Sequence, residues 1–405
     1  MKIIMKKNLL LLTVLTFVAF GVSAQKFSNL APTPPMGWNS WNKFQCNVSE
    51  TLIKETADAM VSTGLADAGY QYVVIDDCWH GDRDSLGMIH ENPETFPSGM
   101  KALADYIHSK NLKFGIYSCA GYKTCAGYPA GRGHEYQDAI QYAKWEVDYL
   151  KYDWCNSRAL NAEGSYMTIR DALYAAGRPI VLSICEWGSN KPWKWASKYG
   201  QLWRTTPDIA PYFDQWKNSH GYDWDVMHIV DRQMSDSVRF YAGPNAWNDP
   251  DMLEVGNGMT VSEDRSHFTL WCILAAPLML GNDLRNISQE TLSILTNKEV
   301  IAIDQDPLGY EGWRISSENY VEIWVKPLKD SSWAVCFLNR SNQEKVYTID
   351  WSKINVKDDF TMSILDPSSH VYNVRDVWNH KDCGTTAKSL TVTIPIHDVF
   401  CVVLK

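Results

Sequence analysis

The chain has 405 residues, a net charge of -9 and a hydrophobic content of 45%. This length is enough for one large domain and a smaller one, and the negative charge argues against a nucleic-acid partner. The 18 Trp and 20 Tyr are numerous for a chain of this size. Because these side chains combine a flat apolar face with a polar edge, they suit the binding of sugar rings.

The N-terminal segment, residues 1–24, has the pattern of a signal peptide. Lys6 and Lys7 form a basic start, an apolar run spans 9–22, and the small residues of Val22–Ala24 precede the expected cleavage site. This run is short for a membrane span, and no later stretch is long enough. The sequence therefore predicts an exported protein, periplasmic or secreted, without a membrane-spanning segment.

Strand and helix patterns alternate through the next part of the chain. Strands are expected in the Gly- and Trp-containing stretch from residue 36, and over 70–79, 112–119, 147–155, 179–187, 202–209, 246–253 and 275–283. Periodic apolar residues predict helices over 49–68, 97–110, 134–145, 160–176, 191–199, 223–241 and 261–274. About eight such units imply parallel strands and fit a (β/α)8 TIM barrel over 25–310, with an open doubly wound sheet as the alternative.

Polar side chains at the C-terminal strand ends favour the barrel, because these ends converge on one face where active sites form. They are Trp41, Asp76, Asp77, Tyr117, Lys151, Asp153, Glu186, Arg204, Asp208, Asp249 and Asp251. Lys151 and Asp153 are two residues apart, so they share one face of their strand. Taken alone, they are either an ion pair at a strand end or a catalytic carboxylate kept ionised by a lysine.

From about Trp313 the sequence pattern changes to short β-rich runs separated by polar turns, with no sustained helical period. This pattern predicts a C-terminal antiparallel β-sandwich-like domain over 311–405, with the boundary at Asp306–Gly309. Such a domain supports the barrel or binds sugar in its own right, and the sequence favours support.

No sequence pattern indicates a cofactor. The ten cysteines include no zinc-ligand set, and no glycine-rich phosphate loop is present. Many carboxylates, aromatic platforms and no cofactor signature point to glycoside hydrolysis, which needs two carboxyl groups flanking the scissile bond. The residues alone nominate seven carboxylates and do not choose a pair.

Ten blocks in order resemble the α-galactosidases of glycoside hydrolase family 27. They are MGWNSW (36–41), IDDCW (75–79), GIY (115–117), KTCAG (123–127), LKYDWC (150–155), CEWG (185–188), WRTTPDI (203–209), GPNAWNDPDML (243–253), AAPLMLGNDLR (275–285) and VIAIDQDPLG (300–309). The resemblance implies a retaining, exo-acting enzyme that releases terminal α-linked galactose from a saccharide and uses neither metal nor cofactor.

The same resemblance assigns roles. Asp153 matches the nucleophile and Asp208 the acid/base. The positions implied to bind substrate are Trp41, Asp76, Asp77, Tyr117, Cys125, Lys151, Cys185, Trp187, Arg204, Asp251 and Met252. Among them, Trp41 is expected to stack under the galactose ring, the paired aspartates to bind O4 and O6, and Cys185 with Trp187 to contact the C2 substituent.

Disulfides Cys46–Cys78 and Cys125–Cys155 also follow from the resemblance. Cys185 has a partner in the animal members, but residues 200–202 here contain no cysteine, so a free thiol is expected. Cys383 and Cys401 are a further candidate pair. Asn47, Asn286 and Asn339 begin N-x-Ser sequons.

Two other readings compete with an α-galactosidase. One is a β-L-arabinopyranosidase or an enzyme with both activities, because that sugar is α-galactose without its hydroxymethyl group. The other is a sugar-binding protein with an inactive barrel, which both candidate carboxylates, Asp153 and Asp208, argue against. The aglycone and the oligomeric state stay open.

Overall fold

A computed structural model of the chain describes residues 26–215, 223–235 and 237–405. The signal peptide expected over 1–24 lies outside the described residues. Across these three ranges, no helix is both long and apolar enough to cross a membrane.

Eight parallel strands form the centre of the N-terminal part. They are β1 (Met36–Asn39), β2 (Tyr72–Val74), β3 (Lys113–Cys119), β4 (Tyr149–Asp153), β5 (Val181–Cys185), β6 (Leu202–Arg204), β7 (Trp247–Asp249) and β8 (Leu278–Leu280). They are hydrogen-bonded in the order β7-β6-β5-β4-β3-β2-β1-β8. A parallel bridge between Leu253, just after β7, and Leu280 joins the two edges. The sheet therefore closes, and the expected (β/α)8 barrel is confirmed.

Strand β4 shows how the sequence fixes the two faces of this barrel. Leu150 and Tyr152 point outward into the large core between sheet and helices, and the Tyr152 ring contacts Tyr166 at 6.0 Å. Tyr149 belongs to the separate apolar cluster inside the barrel. Since side chains alternate along a strand, Lys151 and Asp153 share the inner face with Tyr149, as the sequence predicted.

Helices follow the barrel strands, and most of them pack on the outer side of the barrel. They are α1 (Trp41–Phe44), α2 (Glu50–Ser62), α3 (Leu65–Ala68), α4 (Met100–Ser109), α5 (Glu135–Lys144), α6 (Ala162–Ala176), α7 (Val226–Gln233), α8 (Val261–Ile273), α9 (Gln289–Leu295) and α10 (Lys298–Asp304). Side-chain caps explain several starts: Ser49 caps α2, Asn161 caps α6, and Thr260 forms a capping box with Glu263 at α8.

The strands expected over 70–79, 246–253 and 275–283 are shorter in the structure, at three residues each. Three further predicted elements also differ. The helix expected over 191–199 is two short 3-10 turns, Pro192–Lys194 and Ala196–Lys198, because Trp195 between them leaves the helical conformation, with a φ of -137°. The strand expected over 202–209 ends at Arg204, and the chain pairs again only at Asp208–Ile209. The helix expected over 223–241 is shorter, since α7 ends at Gln233.

The C-terminal domain is antiparallel, as expected. Its strands are β9 (Trp313–Glu318), β10 (Val321–Pro327), β11 (Trp333–Asn339), β12 (Lys345–Ile349), β13 (Val356–Asp358), β14 (Ser363–Leu365), β15 (Asn373–Asp376), β16 (Lys381–Thr385), β17 (Leu390–Ile394) and β18 (Val399–Leu404). Six form one sheet in the order β9-β10-β11-β18-β15-β16, and β12 with β17 and β13 with β14 form two pairs.

The six-stranded sheet has two apolar faces. One side, which includes Trp324, Cys336 and Cys401, joins the same core as the barrel helices. The other side, which includes Phe337, packs inside the C-terminal domain against residues outside this sheet such as Trp351. The barrel and this sheet therefore share a continuous core.

The candidate pair Cys383 and Cys401 is wrong, because the two residues lie on opposite faces of the sheet. Cys401 lies in the core shared with the barrel, whereas Cys383 packs against the core on the opposite face of the sheet. A disulfide between them would have to pass through the sheet.

Candidate active site

Asp153 ends β4 on the face where the barrel's C-terminal strand ends meet. Its side chain is 5% exposed, and Oδ1 accepts a hydrogen bond from the Trp154 amide at 2.7 Å. Burial raises the pKa of Asp153 to about 7; the Lys151 ammonium opposes this shift and the Asp208 carboxylate adds to it. Asp153 and Asp208 are therefore close enough for their charges to interact.

Lys151 makes its direct ion pair with Asp76, not with Asp153. Its Nζ lies 2.8 Å from Asp76 Oδ2, and the same oxygen accepts a hydrogen bond from Asn39 Nδ2 at 2.8 Å. Asn39 Oδ1 accepts from the Trp41 amide at 2.9 Å, which fixes the start of α1. Asn39 was not among the expected site residues, although its place at the end of β1 is the criterion that selected the others.

Asp77 is held by backbone amides beside a disulfide loop. Its Oδ2 accepts from the Ala126 amide at 2.8 Å and its Oδ1 from the Cys78 amide at 2.7 Å. Burial raises the pKa of Asp77, and these two hydrogen bonds oppose the shift. The Tyr117 hydroxyl donates to Cys125 Sγ at 3.2 Å, which brings the expected wall residue next to the loop.

Both expected disulfides near the site are present, Cys46–Cys78 and Cys125–Cys155. The first ties the segment after β1 to the residue that follows Asp77. The second ties the loop after β3 to the residue two positions beyond Asp153. Each therefore holds the backbone beside a candidate site carboxylate.

Arg204 connects the carboxylates on the other side. Its buried Nη2 lies 3.0 Å from Asp208 Oδ1 and 3.0 Å from Asp251 Oδ2. The Asp208 side chain is 49% exposed, whereas that of Asp251 is 8% exposed. Asp251 has a left-handed φ of 91°, a strained conformation for a non-glycine residue that is common at functional sites. Its amide donates to Asp249 Oδ1 at 2.9 Å, which holds that conformation.

Cys185 and Trp187 lie at the end of β5, next to this arginine. Arg204 Nη1 donates to Cys185 Sγ at 3.7 Å, and the Cys185 thiol is free, as expected. Trp187 has a φ of 59°. The turn that carries it is fixed by Glu186, whose Oε2 accepts from the amide and the side chain of Asn190 at 2.7 and 2.8 Å.

Trp41 and Met252 complete the set of expected residues. Both pack against the apolar cluster inside the barrel, and Trp41 is half-buried. A small cavity of about 20 Å³, enough for roughly one water molecule, lies on the floor of the site. It is lined by Asn39, Tyr149, Lys151, Ser183, Arg204, Asp249, Asp251, Met252 and Met279. The barrel is filled below this point, so a ligand approaches from the C-terminal face.

Two side-chain groups in the described part of the chain come within metal-binding reach of one another. One contains Asp153 with Cys125 and Cys155, but both sulfurs are used in the disulfide. The other, Asp105, His108 and Glu146, lies on the outer side of the barrel, where Lys101 pairs with both carboxylates. Neither arrangement offers a metal centre for the site.

Comparison with known proteins agrees with this geometry. A family model described as alpha galactosidase A matches residues 33–306. The chain belongs to the α-galactosidase family known as melibiases, glycoside hydrolase family 27. A second model of this family, described as the alpha galactosidase C-terminal beta sandwich domain, matches residues 318–404.

The melibiase assignment extends over nearly the whole chain. Alpha-galactosidase A of Cellvibrio japonicus is 51% identical over 98% of this chain and 98% of its own length. Alpha-galactosidase 3 of Arabidopsis thaliana is 46% identical over 93% of this chain and 83% of its own length. The crystal structure of α-galactosidase I from Mortierella vinacea superposes with a TM-score of 0.85 at 39% identity, over 93% of this chain and 98% of that one.

Two other solved melibiases bear on the substrate. An α-galactosidase of Saccharomyces cerevisiae with raffinose has a TM-score of 0.82 at 29% identity, over 92% of this chain and 98% of that one. A β-L-arabinopyranosidase of Geobacillus stearothermophilus has a TM-score of 0.77 at 26% identity, over 93% of this chain and 97% of that one.

Proposed function

We propose that this melibiase is an exo-acting α-galactosidase that releases terminal α-linked galactose with retention of configuration. The observation that carries the proposal is the pairing of two unlike carboxylates on one barrel face. Asp153 is buried at a strand end, and Asp208 is half-exposed nearby. Retaining glycosidases need two such carboxyl groups, one as nucleophile and one as acid/base.

In the proposed mechanism, Asp208 protonates the leaving oxygen while Asp153 attacks C1 and forms a covalent galactosyl-enzyme. Asp208 then removes a proton from water, which releases galactose from Asp153. The exposure of Asp208 suits this exchange, because its carboxyl group meets both the aglycone and solvent. Arg204 holds Asp208 on one side at 3.0 Å, so the acid/base keeps its position between the two steps.

The polar groups opposite Asp208 bind the sugar hydroxyls. Asp76 and Asp77 lie side by side at the end of β2 and take O6 and O4, where galactose differs from glucose. Lys151, bonded to Asp76, binds on the same side. Trp41 supplies the stacking face under the ring. At C2, Cys185 and Trp187 leave room for a hydroxyl and exclude an N-acetyl group.

We place the enzyme outside the cytoplasm. The N-terminal pattern over 1–24 supports export, and two disulfides beside the site suit an oxidising compartment. Its substrates there are galactose-bearing oligosaccharides, of which raffinose is one example, or polysaccharide side chains.

Azide rescue tests the two catalytic assignments separately. Asp153→Ala should lower kcat by about 10⁴-fold or more, as expected for a residue that carries the chemical step. With p-nitrophenyl α-galactoside and azide, this variant should form β-galactosyl azide, because azide attacks in place of the missing nucleophile. Asp208→Ala should form the α-azide, because azide attacks the covalent intermediate. Glu186→Gln, which alters a strand-end carboxylate outside these roles, should form no azide adduct.

If Asp153→Ala keeps full activity, or if both variants yield the same azide anomer, the assignments are wrong. The β-L-arabinopyranosidase alternative is supported by solved relatives at 25% and 26% identity. Turnover of p-nitrophenyl α-galactoside and p-nitrophenyl β-L-arabinopyranoside by the unaltered enzyme separates the two activities. A higher kcat/KM for the arabinoside would reverse the preference proposed here.

A further inference from the structure

Two free cysteines lie opposite each other on neighbouring strands of the C-terminal sheet. Cys336 on β11 and Cys401 on β18 are direct partners in the antiparallel register, and both are completely buried. They lie on the face of the sheet that packs against the barrel. Neither belongs to the active site.

The hydrogen-bond pattern shows which kind of pair they form. The Asn339 amide donates to the Asp398 carbonyl at 2.9 Å, and hydrogen-bonded and non-hydrogen-bonded pairs alternate along an antiparallel ladder. Asn339 and Asp398 form a hydrogen-bonded pair, and the pair of Cys336 with Cys401 lies three positions further along the ladder. Cys336 and Cys401 therefore form a non-hydrogen-bonded pair. Consistent with this, the Cys401 carbonyl accepts instead from Val377 on the opposite side, at 3.2 Å.

This kind of pair suits a disulfide. Opposed residues at non-hydrogen-bonded sites have Cα atoms about 4.5 Å apart, which lies within the roughly 4.4–6.8 Å that disulfides span. The two thiols are also neighbours, since burial and then the adjacent Cys401 thiol raise the pKa of Cys336. Their register position therefore places them within the separation that a disulfide can bridge.

The other free thiols near this sheet are placed less favourably. Cys272 is on α8, across the interface between the barrel and the sheet. Cys383 packs on the opposite face of the sheet. Cys336 and Cys401 are the two that share a register position.

We propose that Cys336 and Cys401 form a third disulfide when the chain folds in an oxidising environment. A small disulfide such as oxidised glutathione serves as oxidant. One cysteine loses its proton and attacks a glutathione sulfur, which expels one glutathione thiolate and leaves a mixed disulfide. The second cysteine, once deprotonated, attacks the protein sulfur of that bond and expels the second glutathione. Because both sites are buried in the folded protein, the reaction precedes closure of the sheet on the barrel.

The cross-link would tie β18 to its neighbour in the six-stranded sheet, where β18 lies between β11 and β15. A covalent bond from its centre to β11, the neighbouring strand, keeps β18 in register and keeps its inner face against the barrel helices.

Peptide mapping of the refolded full chain tests the proposal. The protein is refolded with a glutathione and oxidised-glutathione buffer, checked for galactosidase activity, alkylated in denaturant without reduction, and digested. Mass spectrometry should find a Cys336–Cys401 linked peptide in most of the molecules, with Cys272 and Cys383 alkylated. Cys383→Ser should keep the link. Cys336→Ala should lose it, leave Cys401 alkylated, and lower the urea midpoint without changing kcat/KM.

The decisive measurement uses the unaltered protein, so it does not depend on whether a variant folds. Active protein refolded in the same buffer with Cys336 and Cys401 both alkylated would overturn the proposal. A link from either residue to Cys272 or Cys383 would overturn it as well.

Discussion

The position of Lys151 changes how the charge state of Asp153 is understood. The sequence suggested that this lysine keeps the carboxylate ionised, yet its ammonium is bonded to Asp76 at 2.8 Å. Its effect on Asp153 is weaker than burial, so the pKa of Asp153 is raised to about 7 in the unliganded site. The direct partner of Lys151, Asp76, follows β2, which is two strands away from β4 in the sheet. Spacing along β4 does not reveal this contact.

The raised pKa predicts the acid limb of the pH profile. A protonated Asp153 cannot attack C1, so kcat/KM, which reports the free enzyme, should fall as pH decreases below about 7. Lys151→Met removes the ammonium group that opposes the rise in the pKa of Asp153. The acid limb of the kcat/KM profile should therefore move to higher pH. The measurement is kcat/KM for p-nitrophenyl α-galactoside from pH 4 to 9. The quantity compared between variants is the pH at which the acid limb lies, not the maximal value of kcat/KM.

Cys119→Ala is the matched control for this profile. Cys119 is the register partner of Asp153 on β3, and burial raises the pKa of its thiol, so it stays uncharged. Its removal should leave the limb in place. If Lys151→Met leaves the limb in place or moves it to lower pH, the electrostatic account of Asp153 is wrong.

At the scale of elements, the loop after β3 sets the surroundings of the nucleophile. Gly121 in this loop packs so closely that a Cβ atom would lie 2.0 Å from the Cys155 carbonyl oxygen. The Cys119 thiol donates to the same oxygen at 3.1 Å, and Cys155 is joined to Cys125. Three constraints thus hold this loop against the chain just beyond Asp153.

Gly121→Ala should disturb both stability and catalysis. The extra methyl meets backbone that cannot move aside, so unfolding free energy should fall by about 1–3 kcal/mol. Since small displacements near reacting groups cost rate, kcat/KM should fall by roughly tenfold or more. Urea unfolding and steady-state kinetics measure the two effects.

Gly243→Ala is the comparison, because a Cβ atom there would have no neighbour within 4 Å. It should change stability by no more than about 0.5 kcal/mol and leave kcat/KM unchanged. Equal effects of the two substitutions would show that close packing at Gly121 does not matter.

The barrel strands could be predicted because each is a short run of apolar or β-branched residues that ends in a polar side chain. The contacts that side chains make within the site could not be predicted in this way. Arg204 Nη2 lies 3.0 Å from both Asp208 and Asp251 only because the chain turns back after β6 and again after β7. Asn39 was missed for a related reason, since an amide in a Trp-rich motif does not show that it bonds to Asp76.

Across the whole molecule, the interface between barrel and C-terminal sheet contains buried charge as well as the shared apolar core. Lys326 on β10 donates to the Cys272 carbonyl of α8 at 2.9 Å. Asp304 at the end of α10 and Glu311 before β9 are also buried there. Burial raises the pKa of both carboxyl groups to about 8 and lowers that of Lys326, so these groups tend towards their neutral forms.

Glu311 makes the stability of the whole molecule depend on pH. Its pKa is about 8 when folded, against 4.5 for an ordinary glutamate, so the folded state keeps a proton that the unfolded chain releases. The contribution of this protonated carboxyl group to the free energy of unfolding is therefore complete below pH 4.5 and is lost as pH rises towards 8.

Glu311→Gln tests this account. The glutamine keeps an oxygen that can accept the hydrogen bond from Asn248 Nδ2, which is 2.7 Å long in the unaltered protein, but it does not titrate. Between pH 5 and 8, its unfolding free energy should fall less steeply than that of the unaltered protein, by up to about 1.4 kcal/mol per pH unit. Urea unfolding at each pH measures the slopes, and Glu344→Gln, at an exposed turn, should keep the original slope. Parallel slopes for Glu311→Gln and the unaltered protein would show that Glu311 is already ionised in the folded interface.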